Sequence, residues 1–443
     1  MAKIGLLSAT AVGIGAIIGA GIFVLSGVVI NLSGTGALLA FTLTGIVAAM
    51  IALQMGELSS VMPNARGATY SFAYEAFGSE LAFITGALLY LAYAASISAI
   101  SLGFGTYLGS LLGMQGSIYQ YAFSLLLIAA LSLINYLGVR RATRTDAVLV
   151  GFKIFVLAAF IGFAMMLAKP VVSDFSISGM FNNGWSGIFA ASVIAMFAYA
   201  GFQSIASLTP DVEGGGRTVA KAILLAVVIS GLLYVGVIVA LLSIVPASAF
   251  GKVADPLSFA LTRVDAPQYL LVLVGIGALV ATASASLSMM IGGSRLLYQI
   301  SEDHLLPKFL RKMHNDTPSS STFITALIAM ALIFAGNIYI IAAISNFGIL
   351  LTYMISGLAV IKVRRIRRYG FKHPAMIFGK NMFQTPLYPY LTVASIICII
   401  VFFLGFPAVA LSGGVISILL AIIIYYSLRE IKGKPVIKVR LFK

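Results

Sequence analysis

The sequence predicts an all-α, polytopic membrane protein with twelve transmembrane helices. Three observations predict it. Hydrophobic residues make up 60% of the 443-residue chain and charged residues only 9%, with a mean hydropathy of +1.07. A soluble domain carries about 25% charged residues, so this balance excludes a soluble enzyme. Apolar runs of about 20 residues, the length that crosses a hydrocarbon core as a helix, recur along the whole chain. The stretches between them are too short for a soluble domain, so 1–443 reads as one membrane domain.

The runs are 8–31, 34–62, 80–109, 119–137, 146–168, 186–209, 218–245, 267–297, 321–336, 338–362, 387–405 and 408–428. The first is too long for a signal-peptide core and lacks a small-residue cleavage site, so it reads as a retained span. The segment Ser301 to Ser320 carries Glu302, Asp303, His304, Pro307 and Pro318 and reads as a connector with some helix. The net charge of +15 follows topology. Loops after even-numbered spans hold Arg66, Arg140, Arg141, Arg144, Arg217, Lys221, Lys308, Arg311, Lys312 and the basic run Lys362 to Lys380, and the tail adds Arg429, Lys432, Lys434, Lys438, Arg440 and Lys443. Loops after odd-numbered spans hold only Lys169, Lys252 and Arg263. By the positive-inside rule both termini are cytoplasmic and the chain is a multi-pass plasma-membrane protein. The basic residues hug span ends and form no separate domain, which speaks against nucleic acid and leaves a weak attraction to anionic lipid. The single cysteine, Cys398, and three loop histidines allow no disulfide framework and no Cys/His metal cluster, so neither metal nor cofactor is expected.

Two spans look interrupted. Span one reads Val12-Gly-Ile-Gly-Ala-Ile-Ile-Gly-Ala-Gly-Ile-Phe23, and Gly19-Ala20-Gly21 leaves helical geometry cheaply. Span six reads Met196-Phe-Ala-Tyr-Ala-Gly-Phe-Gln203, with Gly201 at its centre. These spans hold the same place in two five-helix halves, 8–168 and 186–362, which two additional helices over 387–428 follow. A repeat of five inverts topology between halves, and matched interruptions in two repeats point to a transporter site at the midplane. Close helix packing by small residues is the other reading of each glycine cluster.

A half-helix N-terminus presents unpaired N–H groups and holds a carboxylate; the preceding C-terminus presents carbonyls and holds an ammonium or cation. Together they fit a zwitterionic amino acid without any charged side chain. The N–H groups of Ala20, Gly21 and Ile22 are assigned to the carboxylate, and the carbonyls of Ile17, Phe197 and Ala200 to the amine. Gly19, Ala198 and Gly201 are small enough to let backbone approach ligand. Phe197 and Tyr199 are candidate gates, with packing as the plainer role for Tyr199. The side-chain pocket draws on Tyr93, Ser96, Phe197, Met289 and Phe347, with Gln203 nearby. No acid faces it, which favours a neutral substrate over a cationic one, although carbonyls and aromatic faces also hold cations.

Lys153 sits inside the apolar run Ala147 to Ala168. With a helix start near Thr145 it lies roughly 12 Å deep at about 1.5 Å per residue. That depth defeats simple snorkelling, so the charge marks a pathway or a bundle interior. Its ammonium is expected between spans one and eight, on a carbonyl near Gly15 and a hydroxyl of Thr282-Ala-Ser-Ala-Ser-Leu-Ser288, with Ser284 and Ser286 as candidates and back-bonding within the helix as the alternative. Burial favours neutral lysine, so an environment that differs between the two faces couples a proton to transport. A fixed charge there suits an exchanger instead. Glu57 reads as a cap, an interface pair or a gate; Asp211 and Glu213 read as solvated.

At this point the chain resembles the amino acid–polyamine–organocation (APC) permeases, close to prokaryotic proton-coupled and exchanger members. Ile17-Ile-Gly-Ala-Gly-Ile-Phe23, Gly56-Glu-Leu-Ser-Ser60 with Pro63, Gly67 and Tyr70, Asn135-Gly138-Val139 ahead of Lys153, Gly201-Phe-Gln-Ser-Ile-Ala206 with Arg217, Ala220 and Ile223, and Gly293-Ser-Arg-Leu-Leu-Tyr298 with Leu306-Pro307 carry the resemblance, in the family's order. It implies a leucine-transporter-like 5+5 inverted repeat with two extra C-terminal helices, substrate at the breaks in spans one and six, and a fifth-helix lysine in the place of a sodium ion. Gln203 stands where many members carry glutamate, Ala20 where some carry serine, and Glu213-Gly-Gly-Gly-Arg217 replaces an Asn-Pro-containing loop. The resemblance makes the chain an amino-acid transporter, as proton symporter or as obligatory amino-acid or polyamine exchanger. A channel or a non-transporting sensor is a remoter reading; an enzyme lacks any nucleophile with a nearby base in the spans.

Overall fold

The computed structural model describes residues 3–65, 67–114, 116–137, 142–168, 175–206, 208–251, 253–314, 317–370, 373–379 and 382–431, with the backbone alone at 142–147 and 430–431. Gly138, Val139, Arg66, Arg140, Arg141, Lys169, Lys252, Lys380, the tail lysines and the side chain of Arg144 lie outside the described residues.

The described chain is almost entirely helical. Its helices are α1 (Leu6–Ile17), α2 (Ala20–Ser33), α3 (Ala37–Val61), α4 (Thr69–Phe77), α5 (Ser79–Leu112), α6 (Ser117–Leu137), α7 (Ala142–Leu167), α8 (Ile177–Met180), α9 (Gly184–Tyr199), α10 (Gln203–Ala206), α11 (Gly215–Ile244), α12 (Pro256–Arg263), α13 (Gln268–Glu302), α14 (Ser319–Leu332), α15 (Ile338–Arg368), α16 (Tyr390–Phe403) and α17 (Ala408–Ile431). Each apolar run read from the sequence falls on one helix or on two helices separated by a break. Among the described residues, eight helical stretches are long and apolar enough to cross a membrane, and four more are apolar but shorter. The chain is a polytopic membrane protein. Its only sheet among the described residues is the two-residue pairing of Met313–His314 with Thr317–Pro318 in the connector after α13.

The breaks have local causes. Ile18 is extended (φ −74°, ψ 96°) and Gly19 takes φ −142°, ψ −145°, so α1 stops and α2 starts afresh at Ala20. Ala200 is extended (ψ 145°) and Gly201 sits at φ +120°, a region only glycine enters without strain, so α9 stops. The most extensive helix pairings include α2 on α9, α3 on α11 and α5 on α13. The α3–α11 crossing is close enough that a Cβ on Gly56 would meet Ala220 at 2.4 Å and one on Gly216 would meet the Ser60 Cα at 2.2 Å. Off the main bundle, α4 is fastened to the end of α13 by the Tyr70 hydroxyl, which donates to Asp303 at 2.6 Å. Burial first, and then that carboxylate, hold the Tyr70 hydroxyl well above its ordinary pKa.

Candidate functional site

Two chain breaks and one buried ammonium meet between α1, α2, α7, α9 and α13. Gly21 lies so close to α9 that a Cβ there would fall 2.2 Å from the Ala198 Cα, and a Cβ on Gly201 would fall 2.5 Å from the Ala16 carbonyl. The two breaks therefore touch. Around them lies a small cavity lined by Ala16, Ile17, Gly19, Ala20, Gly21, Ser96, Ile100, Phe197, Ala200, Ala285 and Met289. No ionisable side chain is among them. Ser345 donates its hydroxyl proton to the Ala92 carbonyl at 2.9 Å and lies 2.8 Å from the Ser96 hydroxyl. The Ser96 proton is thus directed to Ser345, and the Ser96 oxygen keeps a lone pair.

A helix starting at Ala20 leaves the N–H groups of Ala20, Gly21 and Ile22 without intrahelical acceptors. The carbonyls ending α1 are distributed among donors from elsewhere. The Lys153 ammonium, 1% exposed, donates to Gly15 at 2.9 Å and to Ile18 at 2.9 Å. This places a cation at the negative end of the α1 dipole. Tyr234 of α11 directs its hydroxyl at the carbonyls of Ile17, at 2.9 Å, and Ala198, at 3.0 Å, one on each side of the site.

The second break is wired differently. The Gln203 Oε1 accepts from the Gly201 N–H at 2.9 Å and from the Tyr353 hydroxyl of α15 at 2.7 Å. The Phe202 and Tyr353 rings stack at 5.2 Å. Tyr199 turns away and donates to the Phe41 carbonyl at 3.0 Å.

The structure brings together Gly15, Ile17, Gly19, Ala20, Gly21, Ile22, Lys153, Phe197, Ala198, Ala200 and Gly201, with Ser96 and Met289 on the cavity wall. Other residues stand elsewhere. Phe347 lies against Phe403, Phe406 and Gly414, so its ring fills the joint between α15 and the C-terminal helices. Tyr93 and Gln203 sit beside the cavity without lining it. In the 282–288 stretch, Thr282 donates to Ala278, Ser284 to Ala281 and Ser288 to Ser284, which is back-bonding, and Ser286 meets Ser101 at 3.4 Å. The Ile17 carbonyl assigned to a ligand amine already accepts from Tyr234, so only its second lone pair is available. Glu57 is an interface pair: its carboxylate accepts from Arg364 at 2.7 and 2.8 Å. Sequence reasoning missed Ile100 and Ala285, which look like ordinary apolar positions, and Tyr234, whose signal was only a polar-tipped aromatic inside a span.

Comparison with known proteins is consistent with this geometry. A family model described as amino acid permease matches residues 4–428. The chain is 29% identical to the methylthioribose transporter of Bacillus subtilis (strain 168), over 94% of this chain and 91% of that protein. It is 26% identical to the branched-chain amino acid permease BcaP of the same organism, over 96% and 92%. The BcaP of Lactococcus lactis subsp. cremoris (strain MG1363) is 29% identical, over 94% and 92%.

Proposed function

Because the chain belongs to the amino acid permease family, whose members are membrane transporters and not enzymes, we propose that it carries a neutral α-amino acid across the plasma membrane by alternating access, coupled to protons through Lys153. The observation that carries this reading is the pairing of free N–H groups at the start of α2 with a small cavity whose lining has no ionisable side chain. The N–H groups of Ala20, Gly21 and Ile22 hold the carboxylate. The Phe197 and Ala200 carbonyls and the Ser96 oxygen take the ammonium. Ile100, Ala285 and Met289 meet the side chain, which favours a neutral aliphatic one.

Twelve spans in a leucine-transporter-like 5+5 arrangement, 8–168 and 186–362 with two extra helices at 387–428, and cytoplasmic termini form the frame of this proposal. Its support is the contact pattern: α2 on α9, α3 on α11 and α5 on α13 join spans one and six, two and seven, three and eight. This pairing is compatible with a pseudo-two-fold between five-helix halves. Lys153 links proton to substrate because its ammonium ties the carbonyls of Gly15 and Ile18, at the end of α1 just ahead of the N–H groups assigned to the carboxylate. Loss of the proton removes the charge that favours both ties and frees the end of α1 to reorient. The exchanger reading, in which Lys153 stays charged throughout, keeps the same site and differs only in coupling.

Counterflow into proteoliposomes, tested against the twenty amino acids and methylthioribose with and without a pH gradient, decides the matter. Saturable counterflow of one or more neutral aliphatic amino acids, driven uphill by an inward proton gradient, is the expected result. Uptake of methylthioribose with no amino acid taken up overturns the substrate assignment. Exchange that ignores the gradient moves the protein to the exchanger reading.

A further inference from the structure

The strongest polar contact outside the site lies at the far end of α3. Glu57 is 2% exposed. Its Oε1 accepts from Arg364 Nε at 2.7 Å; its Oε2 accepts from the Arg364 guanidinium and from the Thr385 N–H, each at 2.8 Å. Arg364 also donates to the Thr385 carbonyl at 2.9 Å, and its guanidinium lies 4.2 Å from the Tyr388 ring centre. Two further N–H groups of the α15–α16 connector dock on α3: Phe383 on Ser60 Oγ at 3.0 Å and Ile377 on the Val61 carbonyl at 2.8 Å. Arg364 stands eleven residues, about three turns, beyond Tyr353, so both occupy one face of α15. That face meets Gln203 beside the cavity and Glu57 at the helix end.

The two sides of α3 are held by different chemistry. Against α11 it is locked by glycine contacts with no room to slide, and α11 grips both breaks through Tyr234. Against α15 and the connector, at this end, it is held by ions and N–H groups. An apolar joint exposes hydrocarbon when it opens, whereas a polar joint exchanges its partners for water. The Arg364 side chain is 20% exposed, so water already reaches it. We infer that Glu57 and Arg364 form a cytoplasmic latch, a pair of positioning residues that holds α15 and the 382–389 stretch of its connector on α3 while the cavity is closed to the cytoplasm and lets go when it opens inward. This rests on the transport reading, so its test reads access to the cavity rather than substrate.

The test uses the full chain in liposomes with Cys398→Ser and a reporter cysteine at Ala285→Cys, labelled by membrane-impermeant maleimide from either face. Glu57→Gln and Arg364→Gln are expected to raise labelling from the cytoplasmic face about fivefold and to lower it from the other face, a population shift toward the inward-open state. Glu57→Arg with Arg364→Glu is expected to restore most of the difference. Unchanged cytoplasmic labelling in folded single variants overturns the latch. Where those variants fail to fold, Ser60→Cys with Phe383→Cys tests it on an intact ion pair. Oxidation of that pair is expected to cut cytoplasmic labelling of the reporter about tenfold, with reductant reversing the effect. Equal labelling in the oxidised and reduced forms makes the contact a permanent brace and overturns the proposal. A failure of amino-acid counterflow alone leaves these labelling results standing and strikes only the substrate reading.

Discussion

The two breaks look alike in sequence and differ in what they leave open. At the first, α2 continues for fourteen residues beyond Gly19, so a full helix dipole stands behind its free N–H groups. At the second, the helix that follows Gly201 is the four-residue α10, and the Gly201 N–H is already taken by Gln203. Carbonyls at the first break are claimed by side chains, those of Lys153 and Tyr234; at the second, Phe197 and Ala200 line the cavity, and the Phe197 carbonyl accepts the Ala200 N–H at 3.3 Å. In the proposed function the first break is thus the donor site and the second the acceptor site. Matched interruptions in two repeats need not do the same work.

The largest expected effect falls on the first break. Lys153→Ala withdraws the donor from two buried carbonyls, each costing about 1–3 kcal/mol unless water replaces it. Proton-driven accumulation is expected to vanish while some binding or exchange persists, measured by uptake with and without a pH gradient. Unaltered proton-dependent uptake removes Lys153 from the coupling. Next come the two glycines, which separate the breaks. Gly21→Ala drives a methyl to 2.2 Å from the Ala198 Cα beside the N–H groups assigned to the carboxylate, so it is expected to lower thermal stability and, in the protein that folds, to weaken substrate binding about tenfold, ~1.4 kcal/mol, by thermal unfolding and scintillation proximity binding. Gly201→Ala forces positive φ and a clash with the Ala16 carbonyl, so its loss is expected in thermal stability first. If folded Gly201→Ala protein loses as much substrate affinity as folded Gly21→Ala protein, the donor–acceptor distinction fails.

Tyr234→Phe deletes one hydroxyl shared by both breaks. A loss of about 1–2 kcal/mol is expected in substrate affinity or protein stability, checked by binding and by thermal unfolding. Gln203→Glu keeps an acceptor for Gly201 and Tyr353 but adds an ionisable group. It is expected to add a step to the pH profile of counterflow that the parent lacks, with little change at the optimum. Ser284→Ala removes only a back-bond and is expected to stay within about 0.5 kcal/mol of the parent, with transport unchanged.

Much of this was legible from residues alone. The apolar runs located the helices, glycine placement located both interruptions, and the depth of Lys153 marked it as a charge inside the bundle. Those inferences use period and local backbone preference, which a single sequence carries. Partners far apart in the chain were not legible. Glu57 was read as a cap, pair or gate because Arg364 lies 307 residues away among several other arginines. The 282–288 hydroxyls were offered to Lys153, whereas three of them satisfy themselves on their own helix, as hydroxyls in apolar surroundings do. Phe347 was placed in the pocket because the sequence does not say which way a residue on a helix buried on several sides turns.

Tyr234 carries a consequence of its own. A phenol has a single hydrogen to give, yet two carbonyl oxygens sit within reach of it, at Ile17 and at Ala198. Whatever one acceptor gains, the other forfeits. A guest that tugs the Ala198 end of α9 aside therefore tightens the grip on Ile17, and the two halves of the molecule sense each other's position through one atom, as the pans of a balance do through its beam.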